Sequence, residues 1–271
     1  MKKIISIIMC ALMLSACGTE STTNEDDGVF TVGMECAYAP FNYQVSEMTD
    51  TSVEIEGGYC DGYDVMISQR IADALGQELE VRRIAWNGLG VALDEGEIDA
   101  IIAGMTADEE REEGIDFTSP YYDSHGMIMI VRADSEEASY TDIQDFSGKR
   151  VVGQMNTNYD SVIDQIEGVI HETPRSTYPE MVLALQTGDV DGITAEVAVA
   201  EGIVSANPDL TYITFEEGHG FEADTTVSIG LKEGSRGTEM FEAIEEALAA
   251  IDEDTRAELM AQATENQPVG E

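Results

Sequence analysis

Short apolar runs alternate with longer stretches of helical period along this 271-residue chain. Residues 30–34 (FTVGM) predict a strand. In residues 63–76 (YDVMISQRIADALG), Val65, Ile67, Ile71, Ala74 and Leu75 recur near helical spacing, and Gly76 marks the stop. Residues 79–86 (LEVRRIAW) predict a strand and residues 88–96 (GLGVALDEG) a short helix. Residues 98–105 (IDAIIAGM) predict a strand whose unbroken apolar core suits a parallel strand covered on both faces. Residues 126–133 (GMIMIVRA) open a second region. There, residues 145–168 read as strand, turn and helix, and residues 178–204 as helix, strand and helix. A late strand (225–231, TTVSIGL) and two closing helices (238–251 and 255–264) complete an α/β pattern. Residues 92–105 (ALDEGEIDAIIAGM) align without a gap on residues 184–197 (ALQTGDVDGITAEV), placing Asp99 on Asp191. This weak internal repeat predicts two related α/β lobes; two similar helix–strand joins arising by chance is the plainer explanation.

The first residues change the picture of where the chain lives. Lys2 and Lys3 precede an apolar run too short to span a bilayer comfortably, and that run ends in LSAC at Cys17. The pattern resembles a bacterial lipobox. It implies that residues 1–16 are a signal peptide and that Cys17 carries lipid after cleavage. Each buried lipid methylene contributes about 0.8 kcal/mol, so two acyl chains tether firmly. Residues 17–28 then form a flexible leash without aromatic or branched aliphatic side chains. No later run is long and apolar enough to cross a bilayer. These features place the protein at the outer face of the cytoplasmic membrane, held by its lipid.

The chain holds 55 acidic and 13 basic residues, for a formal net charge of −42. A polyanion of this kind excludes phosphate-driven nucleic-acid binding and weighs against lipid-free adhesion to an anionic membrane. With Cys10 lost and Cys17 lipidated, Cys36 and Cys60 remain as an even pair in an oxidising compartment. They are either a disulfide or two small buried thiols. Neither they nor His125, His171 and His219 show metal-ligand spacing, and no phosphate-cradling glycine loop or nucleophile–base set is visible. The expectation is therefore no metal, no cofactor and no catalytic residues.

Candidate chemistry centres on residues 104–122. Arg111 is the only cation between Arg83 and Arg132, and it follows the apolar run ending at Gly104-Met105-Thr106. It reads either as part of a solvated acidic helix with weak ion pairs or as a planar fork holding an anion.

The motifs YAPFNY (38–43), GYDVMISQRIADALG (62–76), WNGLG through SPYY (86–122), the 145–160 segment and ALQTGDVDGITAE resemble the extracellular solute-binding proteins of polar-amino-acid ABC importers. The order and spacing match, and the resemblance covers about residues 30–263. It implies a two-lobe, Venus-flytrap type II binding fold with a mixed, mostly parallel sheet in each lobe and two hinge crossovers. Residues 29–122 plus 225–271 form lobe 1 and residues 123–224 lobe 2, with Tyr121 and Tyr122 beside the hinge. Arg111, the Thr106 amide and hydroxyl and the Gly104 carbonyl are implied to hold the α-carbon's polar groups. Asp108 and Glu109 stand where the family usually has Thr-Pro, adding charge beside Arg111. In lobe 2, Thr157 and Asn158 are implied to reach the same carboxylate, with the Asn158 side chain turned to the ligand. Gln154 lies at the strand end, and Asn156 replaces a glycine. Glu196 falls where the family places an Asp against the ammonium. Glu35 matches an acidic position facing the ligand side chain; its alternative is a solvated loop acid. Tyr38 and Trp86 match two aromatic walls, with Phe41 as core support; ordinary core is the plain reading of both rings.

The resemblance implies a binder of a free polar amino acid that hands it to a permease with an ATPase subunit, acting as a monomer. Two acids around one arginine, with aromatic walls, favour arginine or lysine. Glutamine, histidine and cystine-like ligands are the alternatives. An arogenate dehydratase-like enzyme is the competing class.

Overall fold

The computed structural model describes residues 28–123 and 126–268. The predicted signal peptide, Cys17 and all of the leash but Gly28 lie outside them. Among the described residues, no helix is long and apolar enough to cross a membrane.

The chain forms two α/β lobes, each built on a five-stranded mixed sheet. In the first, the strand order is Glu78–Arg83, Val29–Met34, Ala100–Ile101, Gly230–Lys232, Ile115–Phe117. The first three are parallel and Gly230–Lys232 runs against its neighbours. In the second, the order is Ile170–His171, Arg150–Val152, Gly192–Glu196, Met127–Arg132, Leu210–Ile213, again with three parallel strands beside an antiparallel one. The chain passes from the first sheet to the second through Tyr122–Asp123 and returns through Thr226–Val227. These two crossings pair with each other as a short antiparallel ladder.

The repeat read from the sequence has a physical counterpart. The helices Leu89–Glu95 and Tyr178–Thr187 both end on a left-handed glycine, Gly96 (φ 74°) and Gly188 (φ 78°). The amides of these glycines return to Ala92 and Ala184, the repeat-equivalent carbonyls. Beyond each cap, an aspartate brackets the neighbouring parallel strand of its own sheet. Asp99 accepts from the Thr31 amide at 2.8 Å while its own amide donates to the Thr31 carbonyl. Asp191 does the same to Arg150, at 2.9 Å. The second copy adds Arg132 and Arg150 as ion-pair partners of Asp191.

The helix Tyr63–Leu75 buries Val65, Met66, Ile67, Ile71 and Ala72 against the first sheet and the closing helices Glu239–Ala249 and Glu253–Asn266. Ala74, predicted on the apolar face, is exposed, and Ala72 occupies that face instead. Other elements are shorter than their apolar runs. Of residues 98–105 only Ala100–Ile101 pair as strand, because the backbone turns at Gly104 (φ 63°) while Ile102 and Ala103 stay buried. Residues 225–231 divide between the crossing and the first sheet. The strand begun at Glu78 ends at Arg83, and Trp86–Gly88 form a 3-10 turn. The helix after Thr157 is one short turn, Asn158–Ser161, followed by a 3-10 turn, Val162–Gln165.

A four-stranded antiparallel sheet, Ala37–Tyr38, Asn42–Val45, Gly58–Asp61 and Val53–Ile55, was not predicted. It carries the Cys36–Cys60 disulfide, with Cα atoms 5.8 Å apart, which resolves the choice between bridge and free thiols. Cys36 itself takes a left-handed conformation (φ 51°), uncommon for a side-chain-bearing residue.

Candidate ligand-binding cleft

The strand Val29–Met34 ends at the lobe boundary and delivers Glu35, then the bridged Cys36, then Tyr38. Tyr38 stacks on Phe41 with centroids 5.2 Å apart and planes 9° off parallel. The Tyr178 ring from lobe 2 lies 5.2 Å from that of Tyr38, centroid to centroid, and is tilted 36° to it. Glu35 is only 7 % exposed, and the Gln154 side chain reaches across to its carboxylate at 3.2 Å. Burial raises the Glu35 pKa to about 7, against the opposing pull of that hydrogen bond.

The turn after Ala100–Ile101 sets the next group. Gly104 lies at φ 63°, and a Cβ there would fall 2.7 Å from the Tyr38 ring, so both conformation and space call for glycine. Its amide donates to the Tyr121 hydroxyl at 2.9 Å, and that hydroxyl donates to Asp64 Oδ1 at 2.7 Å. Asn42 donates to the other oxygen of Asp64 at 2.8 Å. Asp64 is fully buried, which raises its pKa to about 6, opposed by the Tyr121 and Asn42 hydrogen bonds. This network fixes the Gly104 turn from behind.

Arg111 opens the 3-10 turn Arg111–Glu113 further along the chain. Its amide is capped by Asp108 Oδ1 at 2.8 Å. Its guanidinium donates to the Thr106 carbonyl at 2.7 Å and, across the cleft, to the Asn156 carbonyl at 2.8 Å. It lies 5.4 Å from the Trp86 ring centroid. Asp108 Oδ2 comes within 3.3 Å of it, so the acid that replaces the usual Thr faces the arginine. Glu109, Glu110, Glu112 and Glu113 are exposed, and Glu112 pairs with Arg236 at 3.0 Å. Desolvation lowers the Arg111 pKa, with Asp108 and Glu110 opposing. A guanidinium so placed remains a cation.

Lobe 2 contributes the segment between Arg150–Val152 and Asn158–Ser161. Asn156 takes the left-handed conformation (φ 59°) that asparagine tolerates better than most residues, so the replacement of glycine leaves the turn intact. The Thr157 hydroxyl donates to the Gln154 carbonyl at 2.8 Å. The Asn158 side chain, expected to face the ligand, instead donates to the Asp224 carbonyl at 2.6 Å, beside the return crossing. Glu196 ends the strand Gly192–Glu196 fully buried, and Tyr38 donates its hydroxyl to Glu196 Oε1 across the lobes.

Nine of the ten sequence-predicted residues thus line one cavity of about 10 Å³, together with Tyr159. Glu196 is the exception, and it sits behind Tyr38. A space of that size holds about one water, so a larger ligand enters only as the lobes part. Tyr159, Tyr178 and Asp64 were missed. The two tyrosines look like core until the lobes meet, and Asp64 looks like a surface helix acid until Asn42 and Tyr121 pack on it. Among the described residues no group of His, Cys, Asp and Glu is arranged to hold a metal. His171 lies between Asp160 and Asp164, 2.9 Å from each, and His219 pairs with Asp142, all away from the cleft lining.

Comparison with known proteins points the same way. The sequence profile of the bacterial extracellular solute-binding proteins, family 3, matches residues 30–265. The chain is 27 % identical over 231 residues to the L-cystine-binding protein TcyJ of Escherichia coli K12, covering 85 % of this chain and 80 % of that one. It is 25 % identical over 234 residues to the arginine-binding extracellular protein ArtP of Bacillus subtilis, covering 84 % and 86 %. Among solved structures, the amino acid ABC transporter substrate-binding protein AbpA of Streptococcus pneumoniae, bound to L-arginine, superposes with a TM-score of 0.76 at 25 % identity. That superposition covers 88 % of this chain and 95 % of that one.

Proposed function

Since the chain belongs to the bacterial extracellular solute-binding proteins, family 3, we propose that it captures a free cationic L-amino acid, arginine first, between its lobes. One observation carries this reading: buried Glu35 and the guanidinium of Arg111 line one cavity with Tyr38 and Trp86, and a second buried carboxylate, Glu196, sits directly behind Tyr38. Arg111 takes the ligand carboxylate, beside Thr106, Gly104 and the amides near Thr157 and Asn158. Glu196, released from Tyr38 as the cleft opens, takes the ammonium. Glu35, held by Gln154, faces the cationic side chain between Tyr38 and Trp86. Residues 29–122 with 225–271 act as one lobe and residues 123–224 as the other. The closed form is handed, as a monomer, to a permease and its ATPase. Residues 1–16 are removed and lipid on Cys17 holds the protein at the membrane's outer face. We read the protein as a carrier, with no turnover assigned to it. The relationship to ArtP and to arginine-bound AbpA supports the choice of ligand.

A thermal-shift screen against the common amino acids, ornithine and cystine tests this reading, because a ligand that binds only the folded state raises Tm. Arginine is expected to give the largest rise. A larger shift with cystine would move the assignment to the ligand named for TcyJ, and no shift with any of them would remove it.

The pH dependence follows from Glu35. Its pKa in the ligand-free cleft is raised to about 7, and a guanidinium beside it favours the carboxylate. Binding below that value therefore expels a proton. Arginine affinity is expected to be flat above pH 7.5 and to weaken about tenfold as the pH falls from 7.5 to 5.5. Calorimetry in buffers of different ionisation enthalpy measures the proton directly. Glu35→Gln should flatten the profile, and a wild-type profile already flat in that range would place Glu35 away from the ligand's charge.

A further inference from the structure

We propose that Asn87 and Asn156 form a latch at the cleft rim, one that favours lobe closure without ligand and slows the escape of a bound amino acid. The part concerning escape rests on the binding function proposed above; the part concerning closure does not. Asn87 belongs to the 3-10 turn Trp86–Gly88 of lobe 1. Asn156 belongs to the turn between Arg150–Val152 and Asn158–Ser161 of lobe 2. The Asn156 side chain donates to Asn87 Oδ1 at 2.7 Å, and the Asn87 amide in turn approaches Met155 Sδ at 3.4 Å. The Asn156 carbonyl accepts from Trp86 Nε1 at 3.2 Å and from the Arg111 guanidinium at 2.8 Å.

Two properties of one residue are needed at this point. The left-handed turn (φ 59°) aims the carbonyl at Trp86 and Arg111; glycine would serve there equally well. The amide then reaches Asn87, and glycine has no group to do so. Asparagine combines a tolerance of that conformation with a side chain that both donates and accepts. The carbonyl also holds the Arg111 fork toward lobe 2, so closure orients the group proposed to meet the ligand carboxylate. Neither asparagine titrates, which separates the latch from the pH response of Glu35.

The test uses the full chain with nitroxide labels on ketone-bearing residues in place of Val91 and Leu183, which are exposed on helices of opposite lobes. Pulsed dipolar spectroscopy then reads lobe separation with no ligand added. Asn156→Gly keeps the turn and the carbonyl and removes only the side-chain bond; Asn87→Ala removes that bond and the Asn87–Met155 contact with it. Each is expected to shift population toward longer distances, and the double variant to shift it no further than Asn87→Ala alone. Stopped-flow release of arginine should be about threefold faster in each variant, again without further gain in the double, and association should stay within about twofold. Unchanged ligand-free distances in both single variants would overturn the latch, as would effects that multiply in the double variant. If no amino acid binds, the distance measurement still decides the latch while the proposed function fails by itself.

Discussion

Replacing Arg111 with alanine is expected to weaken amino-acid binding by about 3 kcal/mol or more, over 100-fold in Kd. A carboxylate drawn into a cleft of this kind loses its water, and only a fixed cation with parallel donors replaces that solvation. The guanidinium is fixed from three sides: the Thr106 carbonyl, the Asn156 carbonyl and the Trp86 face. Asp108, at 3.3 Å, partly neutralises it, which sets the effect near the lower end for a desolvated pair. Arg111→Lys keeps the charge but not the fork, and should recover less than half of the loss. Isothermal titration with arginine reads both variants. Affinity within threefold of wild type for Arg111→Ala would remove Arg111 from the ligand's carboxylate.

The second large effect is on stability. The Cys36–Cys60 bridge joins residues 24 positions apart. Closing a loop of that length restricts the unfolded chain enough to stabilise the fold by about 3 kcal/mol. For a protein of this size, that corresponds to a fall in Tm of roughly 6–12 °C when both are replaced by alanine. The bridge also holds Cys36 in its left-handed conformation between Glu35 and Tyr38. The double-alanine variant should therefore bind ligand severalfold more weakly even well below its Tm. Differential scanning calorimetry of the two proteins measures the first effect. An unchanged Tm would show that the small antiparallel sheet holds its shape without the crosslink.

How far the fold was legible depended on how local its causes are. The helix Tyr63–Leu75 could be read because its apolar period and its Gly76 cap lie in the same fourteen residues. The repeat could be read because Asp99 and Asp191 bracket strands in the same way. The small sheet over Ala37–Asp61 could not be read from pattern. Its strands (NYQV, VEI, GYCD) are short and mixed, and only partners and a crosslink make them pair. Residues 98–105 predicted too long a strand because apolarity continues past the turn that Gly104 makes.

The same division holds in the cleft. Arg111, Thr106 and Trp86 follow strand ends, and their motif order revealed them. The burial of Asp64, the approach of Tyr178 to Tyr38 and the turning of Asn158 toward Asp224 depend on segments distant in sequence. Asp108 shows how much a neighbour matters: two acids replace Thr-Pro, and one points at the arginine while the other stays in solvent.

The paired crossings have a mechanical consequence. Two separate tethers would let the lobes slide, twist and bend independently. Tyr122–Asp123 and Thr226–Val227 are instead laced by backbone hydrogen bonds in register, and such a ribbon yields across its face far more easily than along its length. It behaves as a leaf spring with one compliant direction. Opening across that ribbon would carry Gln154, Asn156 and Tyr178 together away from Glu35, Trp86 and Tyr38. The direction of opening is thus built into the joint itself, before any ligand takes part.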